Sequence, residues 1–190
     1  MKTVAVLATL AAGASAFAPA QVGKASTALN VDFSKEIGAT APLGYYDPLN
    51  LANDDQQLFD NLRYVELKHG RVAMLAVTGY LVTKAGVRLP GYEDVPSGLA
   101  ALKAMPTSAW LWTVPTILAL EINMRDATGE SEFAGDFRNG FDFGWDQQSD
   151  EWKRSKRTIE LNNGRAAQMG ILGLMVHDAM GNLNEIAPFN

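Results

Sequence analysis

The chain has 190 residues, of which 47% are hydrophobic and 19% charged, and its formal net charge is -5 at pH 7. An acidic balance argues against non-specific binding to nucleic acid. Because there is no cysteine, disulfides, thiolate metal sites and cysteine nucleophiles are excluded. The two histidines leave little scope for a free multi-histidine metal site, and the length is that of one domain plus a targeting sequence.

The first 31 residues have the composition of targeting sequences. Residues 1–16 combine Lys2, an apolar run and the ending Ala-Ser-Ala, a pattern typical of a secretory signal peptide cleaved after Ala16. Residues 17–31 contain no acidic residue and resemble a plastid transit peptide. Together they predict the two-part presequence of plastids acquired by secondary endosymbiosis. The alternative is an ordinary secreted protein with a short N-terminal arm.

The remaining residues, 32–190, predict one domain with three helices at about 55–85, 108–126 and 150–180. The expected N-cap of the first is Asn or Asp at 53 or 54, and Thr or Ser at 107 or 108 should cap the second. No segment alternates clearly enough to predict a strand. Residues 128–149 contain too many aromatic side chains to remain in water, so we expect this segment to pack on an apolar surface or ligand.

The first and third of these helices carry the same motif. Residues 66–82 are ELKHGRVAMLAVTGYLV and residues 160–176 are ELNNGRAAQMGILGLMV, and the two are identical at seven of 17 positions. The identical pairs are Glu66/Glu160, Leu67/Leu161, Gly70/Gly164, Arg71/Arg165, Ala73/Ala167, Gly79/Gly173 and Val82/Val176. An internal repeat of this kind predicts two helices related by a two-fold axis.

Apolar length alone does not decide whether these helices lie in a membrane. The uninterrupted apolar runs have about 12 residues, fewer than the roughly 20 that span a bilayer. However, Gly or Ala recurs at every third position of both copies, as in closely packed membrane helices. Basic residues gather near the start of the first and third helices, which indicates that both N-termini lie on one side. Extended back through Glu and Arg, the pattern predicts three spans, with the first and third running the same way.

Embedded charges in the motif would have to be paired. A charge near the centre of a bilayer costs roughly 2.5–3.5 kcal/mol. Four unpaired charges would therefore cost about 10 kcal/mol, comparable to the stability of a whole domain. The repeat predicts reciprocal ion pairs, Glu66 with Arg165 and Glu160 with Arg71, and we expect each carboxylate to keep one oxygen free.

His69 and Asn163 occupy equivalent positions and have no evident partner in an apolar setting. His, Asn, Glu and Gln all offer a lone pair to a divalent cation. Single donors beside Gly70 and Gly164 suit a metal that is already held by a flat macrocycle and needs one axial ligand. Chlorophyll magnesium meets this description, and simple interhelical hydrogen bonds are the alternative.

The motifs E-x-x-H-x-R and E-x-x-N-x-R closely resemble the light-harvesting chlorophyll-binding superfamily. The segments ESEFAGDFRNG, DFGW and ELNNGRAAQMGILGLMVHD resemble its fucoxanthin–chlorophyll a/c-binding proteins of diatoms and related algae. The resemblance covers about 32–190 and implies an all-α membrane protein with three transmembrane helices, the first and third a pseudo-two-fold crossed pair, in the chlorophyll a/b-binding protein fold. It implies no enzymatic activity.

The resemblance also implies cofactors, partners and location. The expected cofactors are chlorophyll a, chlorophyll c and fucoxanthin, with diadinoxanthin a further candidate. The expected partners are thylakoid membrane lipids, other antenna subunits in a homo- or hetero-oligomer, and the core of photosystem I or II. The expected location is the plastid thylakoid membrane, as a multi-pass protein.

Seven residues are candidate axial ligands of chlorophyll magnesium: six of them match ligand positions of the family, and the seventh, Gln168, replaces the Met common at its position in plant relatives and is a possible extra ligand. They are Glu66, His69, Glu121, Glu160, Asn163, Gln168 and His177. Arg71 and Arg165 correspond to the ion-pair arginines. Alternatives remain for two of the ligands, since His177 could be an interfacial histidine near a helix end and Glu121 could pair with Arg125. The aromatic loops at 43–49 and 141–145 resemble loops that hold carotenoid end rings.

Two other functions share parts of this pattern. A photoprotective, energy-dissipating protein of the same superfamily has the same ligand set, so the motifs do not separate it from an antenna. A small membrane transporter could use intramembrane charges for ions or protons. A soluble enzyme is disfavoured, because no nucleophile–base set or phosphate-binding loop is evident.

Overall fold

Helices account for most of the regular structure in this computed structural model, which describes residues 32–124 and 131–186. In chain order they are α1 (Gln56–Lys84), α2 (Ala101–Ala104), α3 (Thr107–Asn123), α4 (Asp150–Met180) and α5 (Leu183–Ile186). Short 3-10 turns occupy Phe33–Lys35 and Gly98–Ala100. The only β-type pairing within the described ranges is an isolated bridge between Thr40 and Gly44. The expected signal and transit peptides, 1–16 and 17–31, lie outside the described residues.

The two long helices begin at side-chain caps. Asp55 accepts hydrogen bonds from the backbone N–H groups of the first turn of α1. The expected caps, Asn53 and Asp54, were wrong, because both residues have positive φ and form the turn that precedes the helix. Ser149 caps α4 by accepting from the N–H of the third helical residue, and Gly181 ends α4 in the left-handed conformation that favours glycine.

The middle helix, α3, differs from its expected form at both ends. It begins directly after Pro106 without a side-chain cap, so neither Thr107 nor Ser108 has the expected capping role. It ends at Asn123, and the region around the expected end at 126 lies outside the described residues. The connection between α1 and α3 contains the short helix α2.

α1 and α4 cross at a pair of glycines. A Cβ atom added to Gly70 would lie 2.9 Å from the Cα of Gly164, and one added to Gly164 would lie 3.0 Å from the Cα of Gly70. Such distances leave no room for a side chain, so the two backbones touch. Leu67 and Leu161, equivalent residues of the repeat, are buried beside the crossing. The reciprocity of these contacts is what a pseudo-two-fold axis produces.

α3 stands apart from the crossed pair. Its backbone does not pack against that of α1 or α4 anywhere in the part of the chain that the structure describes. Ala109 is buried near its start, but most of its large apolar side chains are exposed. Trp112 is the extreme case, with 78% of its surface exposed. This helix therefore presents an apolar surface that the described protein does not cover.

Among the described helices, none combines the length and the apolar character needed to cross a membrane. α1 and α4 have 29 and 31 residues, but the charged residues of the motif lie within them. α3 is strongly apolar but has only 17 residues.

Candidate functional site

The site is built around two ion pairs at the glycine crossing. Arg165 donates from Nε to Oε1 of Glu66 at 2.7 Å, and Arg71 donates from Nε to Oε1 of Glu160 at 2.6 Å. The structure therefore places each arginine on the glutamate of the other helix, the reciprocal arrangement that the repeat predicts. Each pair joins α1 to α4 and places a cation against a carboxylate at the helix crossing.

Each arginine also holds a loop. Nη1 of Arg71 donates to the carbonyl oxygen of Gly135, and Nη1 of Arg165 donates to that of Gly38, both at 2.8 Å. Both glycines have positive φ. A Cβ atom on Gly135 would also lie 3.2 Å from Cδ1 of Leu67. Sequence reasoning missed these contacts, since a glycine in a loop ahead of each helix is too weak a signal to identify.

The two glutamates differ in how fully they are engaged. Oε2 of Glu66 accepts from Nη1 of Arg63 at 2.5 Å, so cations occupy both of its oxygens. The expectation of a free oxygen on each carboxylate is therefore wrong for Glu66, because Arg63 lies one helical turn earlier on the same face. Arg157, the equivalent residue in α4, instead lies 3.9 Å from the centre of the Phe133 ring. At Glu160, Oε2 has no hydrogen bond or ion pair from the described residues.

One ring nitrogen of His69 is engaged by the protein and the other is not. Its Nδ1 lies 2.8 Å from the carbonyl oxygen of Val65. A carbonyl can only accept, so Nδ1 carries the proton and the neutral ring keeps its lone pair on Nε2. Histidines that bind metals commonly donate their other N–H to a carbonyl in this way. The side chain is exposed and comes one residue before Gly70, so the structure leaves Nε2 open to a group outside the protein.

Asn163 and Gln168 also keep acceptor atoms available. The Asn163 side chain is exposed, and nothing in the described ranges forms a hydrogen bond with it. Nε2 of Gln168 donates to the backbone carbonyl of Glu66 at 3.4 Å, which leaves the amide oxygen unused. Both residues therefore have the neutral oxygen donor that a macrocycle-bound magnesium accepts as its axial ligand.

The remaining two predicted ligands lie away from the crossing. Glu121, on α3, forms an ion pair with Lys68 of α1, while Arg125 lies outside the described residues. His177 lies near the end of α4, where its Nδ1 is 3.1 Å from Oδ1 of Asn182. With Nδ1 as the donor, Nε2 of His177 is available, as it is in His69.

The loop at 43–49 forms one wall of a cavity beside the crossing. The cavity has a volume of about 560 Å³ and extends from Tyr45 and Tyr46 to Glu66 and Arg165. One side of the cavity is formed by α1, including Phe59. The ring of Phe33 stacks on that of Phe59, with ring centres 4.3 Å apart. A large apolar group could therefore reach from this loop to the ion pair.

The aromatic residues of the segment 131–149 divide into two groups. Phe133 and Trp145 pack together with ring centres 5.8 Å apart, and Phe137 lies edge-on to Tyr64 of α1. Phe141 and Phe143 are exposed, at 68% and 85%, so the expectation that the aromatics of this segment pack on a surface is not met by the protein for these two.

A buried carboxylate holds the loop that contains Gly135. Asp136 accepts from Nη2 of Arg138 at 2.6 Å, from its Nε at 2.9 Å and from two backbone N–H groups. These bonds, chiefly those from the Arg138 guanidinium, lower the pKa of Asp136 from 3.8 to about 2. Because the carbonyl of Gly135 accepts from Arg71, this carboxylate supports the arginine that pairs with Glu160.

The loop should therefore open only in strong acid. A lowered pKa adds stability that is complete above pH 3.8 and is lost as the pH falls towards 2. The contribution is about 2 kcal/mol. Pepsin cleavage within 131–148 should rise between about pH 4 and pH 2 in the parent, whereas Asp136→Asn should be cleaved already at pH 4. Asp94→Asn, in another loop, should behave like the parent, and equal cleavage of the parent and Asp136→Asn at pH 4 would contradict this account.

Comparison with known proteins adds the family. The family model described as "Chlorophyll A-B binding protein" matches residues 33–179. Fucoxanthin-chlorophyll a-c binding protein D, chloroplastic, of Phaeodactylum tricornutum is 56% identical, over 95% of this chain and 97% of its own length. The fucoxanthin-chlorophyll a-c binding protein, chloroplastic, of Trieres chinensis is 54% identical, over 94% of this chain and 95% of its own length.

A more distant relative has the same description. Fucoxanthin-chlorophyll a-c binding protein F, chloroplastic, of Macrocystis pyrifera is 48% identical, over 84% of this chain and 81% of its own length. The family match includes the glycine crossing, both reciprocal ion pairs and all seven predicted ligand residues. The chain therefore belongs to the chlorophyll A-B binding protein family.

Proposed function

We propose that this chain is a light-harvesting antenna protein that binds chlorophyll a, chlorophyll c and fucoxanthin in the plastid thylakoid membrane and passes excitation energy to photosystem cores. The relatives' names support this choice of pigments. The observation that carries the proposal lies at the crossing, where paired glutamates and arginines sit beside side chains with unused lone pairs. Such a scaffold binds and orients ligands.

We assign the axial positions of chlorophyll magnesium to the seven predicted residues. They are Glu66, His69, Glu121, Glu160, Asn163, Gln168 and His177. The donor chemistry fits, since each residue offers one N or O lone pair, and Glu66 keeps a second lone pair on each oxygen despite its two arginines. The pigments supply light absorption and excitation transfer when bound. The chain's own part is to hold the rings at set positions and to exclude water from them.

The position of α3 is consistent with pigments that lie between α3 and the crossed pair of α1 and α4. A helix whose backbone stands away from α1 and α4, with most of its large apolar side chains exposed, has to be covered by other apolar material. Bulky flat rings and carotenoid end groups have the size and polarity to occupy such a gap. The cavity behind Tyr45 and Tyr46 is a second place of this kind, and we assign the loops at 43–49 and 141–145 to carotenoid end rings.

We propose further that α1, α3 and α4 lie in the membrane, with α1 and α4 parallel. Each motif glutamate is paired with the motif arginine of the other helix, so none of these four charges is left without a partner in the bilayer. The exposed apolar side chains of α3 face lipid or pigment. The presequence at 1–16 and 17–31 directs the chain to a secondary plastid, where thylakoid lipids, other antenna subunits and a photosystem I or II core are its partners.

The ligand assignment is tested by removing one donor. His69→Leu should lose one chlorophyll per polypeptide while the helical content is unchanged, because leucine has no lone pair. The measurement is the chlorophyll content of the purified protein by absorption, with helicity by circular dichroism. Val72→Leu, an exposed apolar position one turn later on α1, is the matched control and should keep every pigment. Identical pigment content in His69→Leu and the parent would show that His69 is not a ligand.

The antenna role is tested by the purified parent protein. Its absorption should contain bands of chlorophyll c and of a green-absorbing carotenoid, and its chlorophyll fluorescence should be long-lived. Strongly quenched emission would favour the photoprotective alternative, which the names of the relatives do not support. A folded but colourless protein would overturn the pigment assignment and favour the transporter.

A further inference from the structure

The ion pair between Lys68 and Glu121 has a special place in the fold. Across residues 32–124 and 131–186, it is the one side-chain hydrogen bond or ion pair that joins α3 to α1 or α4. The two side chains are 43% and 45% exposed, so the pair lies in the space between the helices and not in a packed core. The position of α3 therefore depends on this contact and on whatever fills the surrounding gap.

The pair also completes a pattern among the proposed glutamate ligands. Glu66 is neutralised by an arginine of α4, Glu160 by an arginine of α1, and Glu121 by a lysine of α1. Each of the three carboxylates therefore contacts a cation of a different helix, and Glu66 also contacts Arg63 of its own helix. A carboxylate in apolar surroundings keeps its negative charge only when a cation compensates it, so these contacts allow a glutamate to serve as a ligand there.

Lysine differs from arginine in a way that suits this position. An ammonium is a compact point charge, whereas a guanidinium presents a planar fork that engages a carboxylate through two parallel bonds. Lys68 contacts Oε2 of Glu121, and no described residue bonds to Oε1. One oxygen of Glu121 is thus held by the protein, and the other is left for a ligand.

We propose that Lys68 is the positioning residue of the pigment site at Glu121. It cancels the carboxylate charge and fixes the separation and rotation of α3 relative to α1. Because His69 is the next residue of α1, the same turn of this helix carries one proposed ligand, His69, and positions another, Glu121, through Lys68. Lys68 therefore sets the spacing between two chlorophylls. This inference rests on the proposed function, since it takes Glu121 to be a magnesium ligand.

The experiment compares four variants of the full chain refolded with pigments. Lys68→Met keeps the length of the side chain without its charge and should lose one chlorophyll per polypeptide. Glu121→Gln should keep that chlorophyll, because an amide oxygen is a neutral donor that needs no cation. The double variant Lys68→Met/Glu121→Gln should therefore regain the chlorophyll that Lys68→Met loses, but its visible circular dichroism should differ from that of the parent, because no ion pair then fixes the position of α3. Lys84→Met, in the last turn of α1, is the matched control and should equal the parent.

The readouts are the chlorophyll content per polypeptide and the visible circular dichroism, which reports coupling between neighbouring pigments. Full pigment content in Lys68→Met would overturn the inference and leave the antenna assignment intact. Loss of the same chlorophyll in both Lys68→Met and the double variant would also overturn it, because charge compensation would not be the role of Lys68. Failure of the parent to bind pigment would overturn the proposed function itself.

Discussion

Gly70→Val should prevent α1 and α4 from assembling. A Cβ atom at this position would meet the backbone of Gly164 at 2.9 Å, and valine adds two further carbons. Overpacking in a core costs about 1–3 kcal/mol when side chains can adjust. Here the obstacle is backbone, which cannot rotate away, so we expect the cost to lie at or above the upper end of that range. The measurement is the yield and thermal stability of the refolded pigment complex.

Gly79→Val is the matched control for this prediction. Gly79 belongs to the same helix and the same small-residue series, but a Cβ atom there would meet nothing within 4 Å. Valine is also a better helix former than glycine by roughly 0.5 kcal/mol. Gly79→Val should therefore assemble as well as the parent. Equal losses in the two variants would show that added side-chain bulk anywhere on this face of α1, and not the contact with Gly164, determines assembly.

Arg71→Leu should have the second large effect, because it leaves Glu160 without its cation. Removing one partner of a buried ion pair costs about 3–5 kcal/mol. The side chains of Arg71 and Glu160 are each 32% exposed, so water lowers this cost in the protein without pigments. Bound pigment and lipid exclude that water and raise the cost again. The same substitution removes the donor to the carbonyl of Gly135. The expected result is a poor yield of pigment complex, lower than that of His69→Leu.

A double-variant cycle separates charge from packing at this pair. Arg71→Leu/Glu160→Gln should recover part of the lost yield, because a neutral glutamine needs no counter-ion. Arg71→Lys should be intermediate, since one ammonium cannot reproduce the fork that reaches both Glu160 and Gly135. If the double variant is no better than Arg71→Leu, the stranded charge is not the cause of the loss. Arg165→Leu should cost less than Arg71→Leu, because Arg63 still pairs with Glu66 after the substitution.

The repeated motif contained most of what could be predicted about the site. Identical residues at matching positions in two helices imply that each Glu can pair with the other copy's Arg, and glycines at matching positions imply close approach. Both inferences follow from residue spacing along a helix and from the need to neutralise embedded charges, and both can be read from residue type and position alone. The bounds of α4 follow from equally local signals, a Ser cap at the start and a left-handed glycine at the end.

Contacts between distant parts of the chain were beyond such reasoning. Nothing in the sequence indicates that the carbonyls of Gly38 and Gly135 accept hydrogen bonds from Arg165 and Arg71. Lys68 would have been taken for a solvated charge or a basic flank of α1. Its partner lies 53 residues away on α3, and no local pattern connects the two.

The sequence by itself determined the repeat, the helices that carry it, the reciprocal charges and the single lone-pair donors, because all of these depend on residue type and helical spacing. The tertiary structure decided which atoms of those residues are already engaged. It placed the side chains of Arg71 and Arg165 on the carbonyls of Gly135 and Gly38, and it joined α3 to the crossed pair through Lys68 and Glu121. Only the three-dimensional path of the chain decides such pairings. Every residue has the same backbone carbonyl, and the sequence of one helix does not specify its distance from another helix.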